Sequence, residues 1–153
     1  MMAATPPTDD APAARYRTPY GFLVRQNGVP AIKPPWAQLN AYDLNSGKLL
    51  WKAPIGLDPR YGFDEATGLA AHKGGVVVTG GGLNFAAGGD SNIYAFDRDT
   101  GQRLWSAALG GYPSGNPSTY SVKGRQYIVV PAAAATAGMN VKRNAFVVFA
   151  LPK

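Results

Sequence analysis

The chain has 153 residues, 46% of them hydrophobic, enough to bury the core of one ordinary domain. Its 15 basic and 9 acidic residues give a net charge of +6, but they are scattered rather than gathered into the stripe of a nucleic-acid binder, so DNA or RNA binding is not expected. The absence of cysteine removes disulfides and thiolate metal sites, and no stretch approaches the roughly 18 apolar residues of a membrane span.

Residues 1–14, MMAATPPTDDAPAA, carry neither a basic region nor an apolar run, and read as a solvated leader outside the fold, neither signal peptide nor anchor. Leu39 to Asp43 alternate as a strand, Asn45-Ser46-Gly47 supply a tight turn, and Leu49 to Lys52 return. A long connection over 54–73 follows; its Asp58, Asp64 and Glu65 read as solvated rather than metal-binding. Four strands are predicted next, Gly75 to Thr79, Leu83 to Ala87, Ile93 to Asp97 and Arg103 to Ala107. Gly80-Gly81-Gly82 links two of them and opens no helix, so it is a hairpin turn and not a phosphate cradle. Beyond lie Ser118 to Val122, a Lys123-Gly124 turn, Gln126 to Val130, and, after a long connection over 131–144, Ala145 to Leu151.

One segment occurs twice. Ala41-Tyr42-Asp43-Leu44-Asn45-Ser46-Gly47-Lys48-Leu49-Leu50-Trp51 returns as Ala95-Phe96-Asp97-Arg98-Asp99-Thr100-Gly101-Gln102-Arg103-Leu104-Trp105, an offset of 54 residues. A four-stranded unit repeated at roughly 40–50 residues is the signature of a β-propeller blade. The predicted fold is therefore all-β, a partial propeller of about two blades: a half blade at 15–53, a full blade at 74–108 and a three-stranded last blade at 118–153. About a fifth of the residues are Gly or Pro, which suits many short strands and turns. Strand edges stay open at both ends, and propellers remove such edges by closing the ring. Assembly with further blades or a partner chain is the expectation. The longer connections, 19–37, 54–73, 88–92, 110–117 and 131–144, fall on one rim, where binding is expected.

The two A-x-D-x-x-[ST]-G-x-x-x-W segments resemble the tryptophan docking motif of the quinoprotein alcohol and glucose dehydrogenases, in which Trp packs between neighbouring blades of an eight-bladed ring. The wider succession is Tyr16-Arg17-Thr18-Pro19-Tyr20-Gly21, Lys33-Pro34-Pro35-Trp36, the first hairpin, Gly74-Gly75, Thr79-Gly80-Gly81-Gly82-Leu83, the second hairpin, Pro117-Ser118-Thr119-Tyr120, Gly124-Arg125-Gln126-Tyr127-Ile128-Val129-Val130 and Phe149-Ala150-Leu151-Pro152. It is similar to the C-terminal end of the membrane-type quinoprotein glucose dehydrogenases. The resemblance implies a periplasmic enzyme that oxidises a sugar or alcohol hydroxyl with pyrroloquinoline quinone (PQQ) and passes electrons to the respiratory chain. The cofactor carries the redox chemistry. Calcium, its ligands and the catalytic carboxylate are implied to belong to earlier blades, so no catalytic residue and no metal ligand are assigned in this chain, and it is not expected to turn over alone. It departs from the family's usual sequence at Ala37, at His72-Lys73 and at Pro131-Ala132-Ala133-Ala134.

Single residues carry two readings each. Trp51 and Trp105, with Ala41, Asp43, Gly47, Ala95, Asp97 and Gly101, read as structural docking positions, the two Asp as turn-stabilising acceptors rather than acid–base groups. Trp36 either lines the cofactor or substrate channel or anchors its loop. His72, the sole histidine, and Lys73 either approach an anionic quinone carboxylate or form an exposed loop pair. Three other roles stay open for the chain: a non-catalytic propeller scaffold that binds proteins through its loops, a split-gene subunit that completes a ring with a partner chain, or an inert truncated product.

Overall fold

The computed structural model describes residues 30–58, 67–69, 74–133 and 144–151. By proximity the chain divides into residues 1–32 and 33–153, and every strand described below belongs to the second unit. Among the described residues all regular structure is strand. Three antiparallel sheets form.

The first sheet is a hairpin of β1 (Gln38–Tyr42) and β2 (Leu49–Pro54). The second is a four-stranded meander of β3 (Val76–Val78), β4 (Leu83–Ala87), β5 (Asn92–Asp97) and β6 (Arg103–Ala108), in that order. The third contains β7 (Tyr112–Pro113), β8 (Ser118–Val122), β9 (Arg125–Ala133) and β10 (Ala145–Ala150). Here β9 is central, with β10 along one side and both β7 and β8 along the other.

The two middle strands of the second sheet, β4 and β5, are packed on both faces because they are apolar in both phases, unlike the half-solvated alternation of an outer strand. Tyr94, Phe96 and Ala86 meet Ala53 of the first sheet, with Leu39, Trp51 and Ile55 closing around them. On the opposite face Ile93 and Ala87 meet Ile128, Val130 and Ala132 of the third sheet, with Val147 and Phe149 at the margin. Three sheets stacked face to face in chain order, each antiparallel, make consecutive propeller blades.

Two details go beyond the sequence expectation. β9 continues through Pro131 to Ala133, so the start of the 131–144 segment is strand and Ala132 is core. The third sheet also takes in the two-residue β7, upstream of Ser118; between β7 and β8 the backbone stays attached through the Ser114 N–H donated to Pro131 O at 2.9 Å.

Candidate functional site at the long-loop rim

The two repeated hairpins turn by the same device. The Asp43 carboxylate accepts the Asn45 backbone N–H at 2.9 Å and the Ser46 hydroxyl at 2.7 Å, while the Gly47 N–H returns to Asp43 O at 2.7 Å. The Asp97 carboxylate accepts the Thr100 hydroxyl and N–H, both at 2.8 Å, and the Asp99 N–H at 3.0 Å, and the Gly101 N–H returns to Asp97 O. Gly47 and Gly101 take φ of 68° and 73°, which a side chain would strain. Hydroxyl donation from Ser46 and from Thr100, then backbone N–H donation, hold both carboxyls below the ordinary aspartate range. In register, Ala41 faces Trp51 and Ala95 faces Trp105, and both hairpins carry a bulge one residue later.

The tryptophans end differently. The Trp51 indole N–H donates to Arg98 O at 2.9 Å and its ring covers Gly101, so the first hairpin is seated on the turn of the second sheet. Trp105 meets Phe149 of β10 edge-on at 5.4 Å and stays 40% exposed.

At the opposite ends of the strands lies the rim. Trp36 follows a cis Pro34–Pro35 bond and donates its backbone N–H to Thr67 O at 2.9 Å; Ala37 O accepts from Ile55 N–H. Gly68, at φ 73°, lies so close to Ala37 that any Cβ would overlap its backbone. Trp36 thereby lines a cleft of about 430 Å³ with Gln38, Ile55, Gly75, Val76 and Ala86. On the other side of β3, the Asn116 carboxamide occupies the space a Cβ on Gly75 would need.

Asp90 ties the rim together. Its carboxylate accepts the Leu57 N–H at 2.8 Å and the Tyr94 hydroxyl, and the Asn92 N–H at 3.3 Å. Burial, then the hydrogen bond and charge of Asp90, push the Tyr94 phenol well above the ordinary tyrosine value. Neither Asp90 nor Asn116 stands out in the sequence: Leu57 and Gly75, which they meet, lie far away along the chain. Asp58 is fully buried, with its N–H donated to the Thr67 hydroxyl at 2.8 Å, and is thus not the solvated loop acid that the sequence suggested. His72 and Lys73 lie outside the described residues.

Chemically, the cleft offers an indole, one amide and an apolar wall. None of its lining side chains is charged, and among the described residues no cluster of three acids or histidines is placed to hold a metal. These residues do not by themselves fit an anionic quinone or a calcium ion.

Stacked antiparallel blades joined by a repeated Asp-turn hairpin and an inter-blade tryptophan define the chain as a β-propeller segment. Residues 2–128 match the family described as PQQ: Glucose/ethanol/alcohol dehydrogenase, beta-propeller domain. The chain belongs to that family, whose cofactor is PQQ. It is 38% identical over 148 residues to the glycerol dehydrogenase large subunit of Gluconobacter thailandicus, covering 88% of this chain and 20% of that one. To the quinoprotein glucose dehydrogenase of Escherichia coli K12 it is 28% identical over 156 residues, covering 95% and 20%. The crystal structure of quinohemoprotein alcohol dehydrogenase from Comamonas testosteroni superposes with a TM-score of 0.54 at 25% identity, covering 74% of this chain and 16% of that one. The chain spans about a fifth of the length of the curated relatives it matches.

Proposed function

We propose that this chain forms one arc of a PQQ-dependent dehydrogenase that oxidises a sugar or alcohol hydroxyl in the periplasm and passes the electrons toward the respiratory chain. The arc contributes blades and a stretch of rim; the remaining blades, from the same polypeptide or a partner chain, bring the catalytic carboxylate, the calcium ligands and most of the contacts to PQQ. When bound, PQQ supplies the two-electron acceptor. In this reading Trp36 presents an aromatic wall to the channel, His72 and Lys73 supply positive charge beside the quinone, and the chain alone does not turn over.

The carrying observation is the joint at Trp51. An indole seated on the next turn is an inter-blade coupling already made inside the chain, while β1 and β10 each keep an edge without a strand among the described residues. Such edges are satisfied by more blades.

The test is reconstitution. The purified chain, mixed with PQQ and calcium, is expected not to reduce a dye with glucose, glycerol or ethanol. Co-expressed with the Gluconobacter thailandicus large subunit lacking the segment that this chain matches, it is expected to co-purify and restore dye reduction. Turnover by the chain alone, or no assembly with the complementary blades, overturns the reading.

A further inference from the structure

The two repeated hairpins occupy equivalent places, β1 corresponding to β5 and β2 to β6. Beside β5 lie β4 and β3; beside β1 there is no strand among the described residues. The face that such strands would cover is legible from the register. Val76 pairs with Ala86 and Ala86 with Tyr94; Val78 pairs with Asn84 and Asn84 with Phe96, so all six side chains share one face of the second sheet. The first sheet covers the outer part of it, Tyr94, Phe96 and Ala86. The inner part is bare, with Val76 47% and Val78 63% exposed.

Between the covered and the bare parts sits Asn84. It is 7% exposed, and its side-chain oxygen is the one buried side-chain acceptor or donor without a hydrogen-bond partner among the described residues. Its sheet neighbours across the register, Val78 and Phe96, are apolar. A buried carbonyl left without a donor is unfavourable, and nearly all such groups in folded proteins find one.

We propose that Asn84 receives a hydrogen-bond donor from the β-strand that adds to the free edge of β1, and that Val76 and Val78 form the apolar seat of that strand. The occupant is a propeller strand from the part of the protein beyond this chain, with small apolar side chains toward Val76 and Val78 and one hydroxyl or amide donor toward Asn84. Two observations choose it over a small ligand. The seat continues the packing already made between the first and second sheets, and the cleft at its upper end, lined by Gln38, Val76 and Ala86, has no charged group to orient a solute. The relatives supply the chain length: four-fifths of each lies beyond the match. This assignment rests on the reading that the chain assembles with further blades.

The test uses the full chain and the complementary large-subunit blades named above. Asn84→Leu keeps the volume and removes the acceptor; Asn84→Ala removes it without filling the site. In the isolated chain Asn84→Leu is expected to leave the thermal midpoint unchanged or raise it, because the orphaned acceptor is gone. In the complex both variants are expected to weaken binding about tenfold by titration calorimetry, as loss of one buried hydrogen bond does. Wild-type affinity in both variants, or a lower midpoint of the isolated Asn84→Leu chain that reveals an internal partner, overturns the assignment while leaving the assembly reading intact. Failure of the wild-type chain to bind overturns both.

Discussion

The six-membered ring of Trp51 lies directly over Gly101, where an added Cβ would stand 2.5 Å from the indole Cε3. The same glycine takes a left-handed φ of 73°. Its counterpart Gly47 has the φ but, among the described residues, no atom within 4 Å of the Cβ position. The two sites therefore separate backbone strain from crowding. Gly47→Ala is expected to cost about 1–2 kcal/mol, the penalty of a left-handed alanine. Gly101→Ala adds overpacking against the indole, for a total of about 2–5 kcal/mol. Urea denaturation of the two variants checks this, and equal midpoint shifts would mean that the indole does not rest on the turn.

Asp90 holds two donors from separate elements, the Leu57 N–H and the Tyr94 hydroxyl. Asp90→Ala leaves both without that acceptor and is expected to cost about 1–3 kcal/mol, with faster hydrogen exchange at the Leu57 amide. Tyr94→Phe removes one donor only and is expected to cost about 1 kcal/mol. If Asp90→Ala leaves Leu57 exchange unchanged, the rim is held by other bonds.

The pH responses of the two ends of the blade run in opposite directions. Tyr94 has a raised pKa, so its stabilising contribution is complete below the ordinary tyrosine value of 10.0 and is lost as pH rises toward the folded value. Asp43 and Asp97 have lowered pKa values, so theirs is present above the ordinary aspartate value of 3.8 and is lost as pH falls through the folded ones. Absorbance titration should show that the Tyr94→Phe variant lacks a phenol that ionises above the ordinary tyrosine value in the folded protein. Acid unfolding of Asp97→Asn should begin from lower stability at neutral pH and show a shallower dependence below pH 3.8.

On the outer edge, β10 pairs with β9 alone among the described residues, and Phe146 stands 75% exposed beside Val148. An apolar free edge templates further strand pairing. Phe146→Ser with Val148→Lys is expected to lower the mass of the isolated chain by light scattering at a given concentration, and identical masses would clear this edge of blame.

Much of the outer half of each blade was legible because its determinants are local. An aspartate, a hydroxyl three residues on and a glycine just beyond encode a turn that needs no distant partner, and the recurrence of tryptophan at the same place marks the joint. β7 escaped because it has only two residues, one of them proline, between Gly111 and Ser114, too few to carry a period. The 131–144 segment was expected to be a connection, yet Pro131 sits in β9, where its carbonyl accepts the Ser114 N–H. The rim was least legible. Asp90 reaches Leu57 across 33 residues, and Asn116 matters only because Gly75 lacks a side chain. A shared site made by chain segments from different sheets leaves no mark in any one of them.

The joint at Trp51 bonds to a backbone carbonyl in a turn, at the end of the blade away from the rim. Its geometry is set by the Asp97 turn, whose own hydrogen bonds involve Asp99, Thr100 and Gly101 and no residue of the rim. Insertions and deletions in the rim can therefore accumulate without disturbing the bonds of this joint. The registration of one blade on the next at this end is thereby separated from the loops at the other.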